Sequence, residues 1–145
     1  MGKPKVMVAL ASADSVESLT TLACQLADGM DAEVSALHVV EVPLATPLEA
    51  EEEFLDHPGK EILARAKGVA ERFCRHLSTE LLRAREVGEA IVGEAKDQGV
   101  ELLVLGHQQP RAHHLSEPLL GGRIRYVAHH APCRVIVQIP APEHG

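Results

Sequence analysis

Uninterrupted apolar runs alternate along this chain with stretches in which apolar side chains recur every three or four positions. Val6-Met7-Val8-Ala9-Leu10 is the first run, the pattern of a strand buried on both faces. Asp14, with Glu17 three residues on, predicts a capping box that opens a helix. The apolar face of that helix is Val16, Leu19, Leu22, Ala23, Leu26, Ala27 and Met30, and Gly29 is its stop signal. Ala32–Val42 predicts a second strand centred on Ala36-Leu37-His38-Val39-Val40. The stretch from Pro43 to His57, with Pro47 and acidic residues from Glu49 to Glu53, reads as an exposed connection with room for one short helix. From Pro58, a good first-turn residue, the positions Ile62, Leu63, Ala66, Val69, Ala70, Phe73 and Leu77 trace one helical face. Ser78–Arg85 predicts a weaker strand, and Val87, Ala90, Ile91 and Ala95 mark a third helix ending at Gly99. Leu102–Leu105 is a buried strand that ends at Gly106. Ile124, Val127 and Ala128 predict a last helix stopped by Pro132, and Val135–Val137 closes the series.

Five strands separated by helical crossovers are most simply parallel, with helices on both faces, an open α/β architecture. The spacing leaves the order of strands in the sheet open. A length of 145 residues suits one domain, expected over 1–140 with a short tail at 141–145.

Composition narrows the function. The aromatic residues are Phe54, Phe73 and Tyr126, with no Trp, so the core must be aliphatic. A net charge of −7 argues against phosphate backbones, and the aromatic platforms that stack single-stranded bases are missing. Nucleic acid is therefore not an expected partner. Cys24, Cys74 and Cys133 are sparse, odd in number and without CxxC spacing, which fits free thiols in a reducing cytoplasm. No apolar run approaches the roughly 20 residues that span a bilayer, so membrane insertion is not expected. Lys3 and Lys5 before Val6–Ala11 echo a signal peptide, but that apolar stretch is too short and Asp14 follows at once.

In open doubly wound sheets, ligands bind outside the carboxyl ends of the strands, where the strand order reverses. The richest candidate is the loop from Gly106 to Gly122, taken with the basic residues that follow it. It holds Gly121 and Gly122, with Arg111, Arg123 and Arg125 against the single acid Glu117. Gly121-Gly122 opens a helix whose free N–H groups and dipole favour an anion. The plainer alternative is that these glycines only end a strand and begin a helix. Neither a Walker A sequence nor GxGxxG is present.

Other constellations carry less. Among the nine histidines, His129 and His130 suit a helix carboxyl end, and His107 could meet His113 or His114 across the loop. No HxxxH or Cys/His zinc spacing occurs, so no metal is expected. Ser12, Ser15 and Ser18 are explained by helix capping, Cys133 as a small hydrophobe, and His38 as a satisfied core histidine. No acid–base pair has a spacing that argues for catalysis, so a binding module is expected.

The region from Leu102 to Val137 resembles the signature end of universal stress proteins. Leu103-Val104-Leu105-Gly106 and, after the loop and helix, His130-Ala131-Pro132-Cys133-Arg134-Val135-Ile136-Val137 carry the likeness. Lys5-Val6-Met7-Val8-Ala9-Leu10 and Leu37-His38-Val39-Val40-Glu41 extend it through the amino-terminal half. The resemblance implies a five-stranded parallel sheet of order 3-2-1-4-5, usually in a homodimer. It implies a nucleotide site at Ala9, Leu10 and Ala11, Val39, Gly106 and His107, and Gly121, Gly122, Arg123 and Ile124. The candidate ligands are ATP, ADP or AMP. Members that bind ATP carry Gly-x2-Gly-x9-Gly-[Ser/Thr] and an Asp ending the first strand. Here Gly106 matches the first glycine, but Gln109 stands at the second and Gly122 at the hydroxyl position. Gly121 matches the third only with a loop two residues longer, and Ala11 takes the place of the Asp. Separately, Glu41-Val42-Pro43-Leu44-Ala45-Thr46-Pro47-Leu48 looks like a segment of stress-protein domains attached to bacterial amino-acid permeases. The readings are a regulatory dimer with an altered nucleotide loop, an ATP- or AMP-binding switch, or a cytosolic sensor domain of a transporter.

Overall fold

The computed structural model describes residues 2–49, 53–107 and 122–139. The strands are β1 (Lys5–Ala9), β2 (Glu33–Glu41), β3 (Leu77–Ala84), β4 (Leu102–Gly106) and β5 (Arg134–Gln138). The helices are α1 (Val16–Met30), α2 (Glu53–Glu71), α3 (Val87–Gln98) and α4 (Gly122–His130). The strands form one sheet in the order β3-β2-β1-β4-β5, every pairing parallel, as the family resemblance implies.

The two-residue period of the strands divides the core between the faces of the sheet. Val6, Val8, Val34, Ala36, Leu102 and Val104 face α1 and α2, where they pack with Leu19, Ala23, Ile62 and Ala66. Met7, Leu37, Leu103 and Leu105 face the other side, where they meet Val87, Ile91, Ala95 and Val127 of α3 and α4. Both faces of β1 and β4 are covered, which is why these strands read as continuous apolar runs.

Four local expectations are corrected. The capping box at Asp14 does not form: Asp14 lies in a 3₁₀ turn, Ala13–Ser15, and α1 begins at Val16 without a side-chain cap. The Ser12 carbonyl instead accepts from the Ser15 N–H and Oγ, at 3.4 and 3.3 Å. Gly29 does not stop α1, which continues to Met30 and closes on Asp31 in the left-handed conformation, φ 51°. Pro58 lies inside α2, not at its start. The partner its missing N–H leaves behind is the Phe54 carbonyl, in the exposed first turn where water can reach it. Finally, Phe73 and Leu77 fall beyond α2. The chain turns at Cys74, φ 55°, and Leu77 opens β3 fully buried.

Two carboxylates tie α-helices to the edge strand β3 with opposite pH dependence. Asp56 on α2 is 3% exposed and takes a two-pronged ion pair from Arg83, with Nε–Oδ1 at 3.1 Å. Hydrogen bonding from Arg83 is the main reason its carboxyl is held below the usual range; partial desolvation opposes it and the guanidinium's charge adds to it. A depressed carboxylate contributes stability above its unfolded pKa of about 3.9, and that stability is lost as pH falls through the lower folded value. Glu80 on β3 is shifted upward, chiefly by its hydrogen bond to Glu94 on α3, then by desolvation and the Glu94 charge. Its contribution is present below about pH 4.3 and fades as pH rises through the raised folded value. Melting curves should therefore show Asp56→Asn flattening the acid limb below about pH 4, and Glu80→Gln flattening the fall above it. Unchanged limbs in either variant would remove that pair from the pH dependence.

Candidate functional site

The order reversal falls between β1 and β4: the chain leaves β1 toward α1 on one face and β4 toward α4 on the other. A cleft of about 160 Å³ opens there, at the carboxyl ends of the strands. Its floor is Ala9, Leu10 and Ala11 from the end of β1, with Leu105 and Gly106 from β4. Nine-residue β2 outruns its neighbour and supplies one wall with Leu37, His38, Val39 and Glu41. Val87 and Ile91 of α3 and Arg123 and Ile124 of α4 form the other. A second cavity of about 360 Å³ shares Glu41, Val87 and Arg123 with the cleft and continues over the starts of α3 and α4.

His38 fixes the floor. Its Nδ1 lies 2.7 Å from the Leu10 carbonyl oxygen, which can only accept, so Nδ1 donates the hydrogen. The Leu10 N–H donates to Leu37 O at 2.9 Å, so both backbone groups of Leu10 are held by β2. The expected satisfied histidine is thus found, although half-buried beside the cleft rather than deep in the core. Gly106 has a packing reason of its own. A Cβ there would stand 2.7 Å from Cδ1 of buried Leu19, so α1 passes closely over β4 at this point and a larger residue would oblige the Leu19 side chain to shift, whether or not a ligand binds.

At the start of α4 the polar end of the site takes shape. Gly122 begins the helix and lines the outer cavity, and Arg123 lines both cavities. Tyr126 anchors α4 to α3, where a Cβ on Gly88 would come within 3.0 Å of its ring. His130 stacks on Tyr126 at 4.2 Å and its Nδ1 lies 2.9 Å from the Tyr126 carbonyl, the helix-end role expected for it.

Of the residues singled out in the sequence, Ala9, Leu10, Ala11, Val39, Gly106, Arg123 and Ile124 meet at the cleft. His107 does not: it is 8% exposed, and its N–H donates to Gln138 O on β5. Gly121, Gln109, Arg111, His113 and His114 lie outside the described residues. His38, Glu41, Val87 and Ile91 line the cleft without having been singled out for it. The helical period of α3 and the alternation of β2 were the signals that could have found them.

Ser18 Oγ accepts a 2.6 Å bond from Gln138 Nε2 and so ties α1 to β5. Burial pushes the Cys24 and Cys133 thiols up, against weaker opposing influences from Arg75 and from a Leu103 backbone hydrogen bond, which keeps both as neutral packing groups. Among the described residues, no helix is long and apolar enough to cross a membrane.

The sequence profile of the Universal stress protein family matches residues 4–138. No curated protein sequence matches the chain. The solved structure of UspA from Lactobacillus plantarum is 26% identical, with a TM-score of 0.70 over 94% of this chain and 99% of that one. The universal stress protein from Archaeoglobus fulgidus in complex with dAMP is 20% identical, TM-score 0.71, over 94% and 97% of the two chains. An Arabidopsis thaliana universal stress protein family protein with AMP bound is 18% identical, TM-score 0.63, over 95% and 92%.

Proposed function

The chain belongs to the universal stress protein family, and from that premise we propose that it is a cytoplasmic regulatory module whose cleft binds an adenine nucleotide. The observation that carries this reading is the convergence of Ala9–Ala11, Val39, Gly106, Arg123 and Ile124 on one crevice at the strand-order reversal. The apolar walls suit a flat base, while Gly122 and Arg123 offer N–H groups and a cation to a phosphate. Nucleotides bound to the Archaeoglobus and Arabidopsis proteins support the same choice of ligand class. Ala11, Gln109 and Gly122, standing where ATP-binding members have Asp, Gly and a hydroxyl, make the loop an altered one and favour signalling by occupancy over turnover.

Calorimetric titration with AMP, ADP and ATP tests this. Weak but saturable heat, at dissociation constants from about 1 μM to 1 mM, is the expected result. Flat titrations for every adenine ligand would refute it. We place the module in a homodimer joined at β5, a sheet edge with unpaired backbone groups, beside which Ile139 is 59% exposed. Light scattering at a monomer mass would contradict that assembly.

A second reading, a sensor domain for a transporter, is favoured by the Glu41–Leu48 segment. Arg85 binds the carbonyls of Val42, Pro43 and Thr46, and the Thr46 N–H closes a turn on Pro43 O at 2.9 Å. Leu44 projects from this fixed turn 89% exposed. If Leu44→Asp leaves association with transporter-containing membranes unaltered, this reading fails.

A further inference from the structure

We infer that the site selects its ligand by low phosphate number, favouring adenosine or AMP over ATP, through a carboxylate rim made of Glu41, Glu86 and Glu89. This rests on the adenine-nucleotide reading above and specifies the ligand within it. Glu41 ends β2 and lines both the cleft and the outer cavity. Glu86 occupies the N-cap position of α3 and Glu89 lies in its first turn, and both line the outer cavity. Neither carboxylate is placed as a capping acceptor, but both put negative charge at the positive end of α3, so a phosphate approaching that end meets two like charges.

That leaves α4. Gly122 and Arg123 at its start line the same outer cavity as the three glutamates. Among the described residues, one guanidinium thus faces three carboxylates in the space where a phosphate chain would extend. A first phosphate can lie against Arg123 and the N–H groups of α4. Each later phosphate adds negative charge to a cavity whose described side chains already sum to negative. These carboxylates are exposed, so the repulsion is moderate and screened by salt, on the order of a fivefold loss of affinity for each added phosphate at low ionic strength.

Calorimetry on the full chain with adenosine, AMP, ADP and ATP, as sodium salts without divalent cation, tests the rim. Titrations at about 0.01 M and about 1 M salt bracket screening lengths of about 30 and 3 Å. The expected result is ATP weakest at low salt, and its deficit relative to AMP closing at high salt. Attraction by basic residues would give the reverse salt dependence. In the Glu41→Gln/Glu86→Gln/Glu89→Gln variant the deficit should close at low salt too. Glu41→Gln alone, checked for folding by circular dichroism, serves if the triple variant misfolds and should close part of it. ATP binding tightest at low salt, or a deficit unmoved by salt and by glutamine, overturns the rim. Absence of binding by all four ligands overturns the nucleotide reading itself.

Discussion

Gly59→Ala is expected to destabilise the fold by about 1–3 kcal/mol, although alanine is the better helix former by about 1 kcal/mol. Gly59 is buried inside α2. A Cβ there would sit 2.4 Å from Cδ2 and 3.0 Å from Nε2 of His38, and 2.9 Å from Cδ1 of Leu81. The Leu81 methyl is the end of a flexible side chain and can turn aside. The imidazole cannot move without giving up its bond to the Leu10 carbonyl, and an unsatisfied buried acceptor costs about 1–3 kcal/mol. Overpacking and the lost bond together outweigh the gain in propensity. Urea unfolding of Gly59→Ala, His38→Ala and the double variant separates the effects. Once the imidazole is gone, Gly59→Ala should turn neutral or stabilising, because only the propensity gain remains. A stabilising Gly59→Ala in the unmodified chain would mean that His38 is not wedged between helix and strand. Displacement of His38 should also weaken ligand binding, because the ring borders the cleft.

The parts of the fold that sequence exposed most clearly were those in which one environment dominates. β1 and β4 are buried on both faces by α1, α2, α3 and α4, and no other element explains four or five consecutive apolar residues so simply. α3 carries its own end signal in Gly99, which adopts φ 66° as a helix-terminating glycine should. Boundaries set by tertiary contact were less legible. Leu77 continues the three-to-four spacing of α2, and only the left-handed turn at Cys74 hands it to β3. Pro58 marks a helix start in local terms, yet α2 reaches back to Glu53, with Asp56 already held by Arg83 of β3. Capping signals at Asp14 and Gly29 yielded to a 3₁₀ entry and to Asp31, residues on an exposed surface where water serves the free backbone groups. Strand order came from resemblance, since periodicity contains no information on which strands are neighbours.

For the site, position on a strand end was legible and orientation was not. Gly106 and His107 are adjacent, yet one lines the cleft and the other is buried against β5, because successive residues leaving a strand face opposite ways. Glu41 enters through the length of β2, which the expected strand Ala32–Val42 already covered, but its place on the cleft wall depends on pairing with β3 through to Ala84. The reason for Gly106 also changed. Its close fit beneath Leu19 favours a small residue without any phosphate, so the residue supports a ligand site less strongly than the crevice it borders.

Ala11→Asp is expected to tighten the binding of adenosine and AMP by about 10- to 100-fold. Residue 11 is exposed just past β1 and lines the cleft, at the position where the family resemblance implies an Asp in ATP-binding members. A carboxylate there would accept hydrogen bonds from ligand hydroxyls, each worth about 1.5–3 kcal/mol for a charged acceptor, where tenfold in affinity is about 1.4 kcal/mol. Against this stands the added negative charge. At a separation of about 8 Å in water, each phosphate charge would be repelled by about 0.5 kcal/mol. The hydrogen bond wins for adenosine and AMP, and the margin narrows as phosphates accumulate. ATP should therefore gain least, in the same direction as the selection imposed by Glu41, Glu86 and Glu89. Calorimetry with 2′,3′-dideoxyadenosine isolates the cause, because a ligand without those hydroxyls should gain nothing from the aspartate. Equal gains for adenosine and the dideoxy compound would assign the effect to something other than the ribose. No gain for either would place the sugar away from β1.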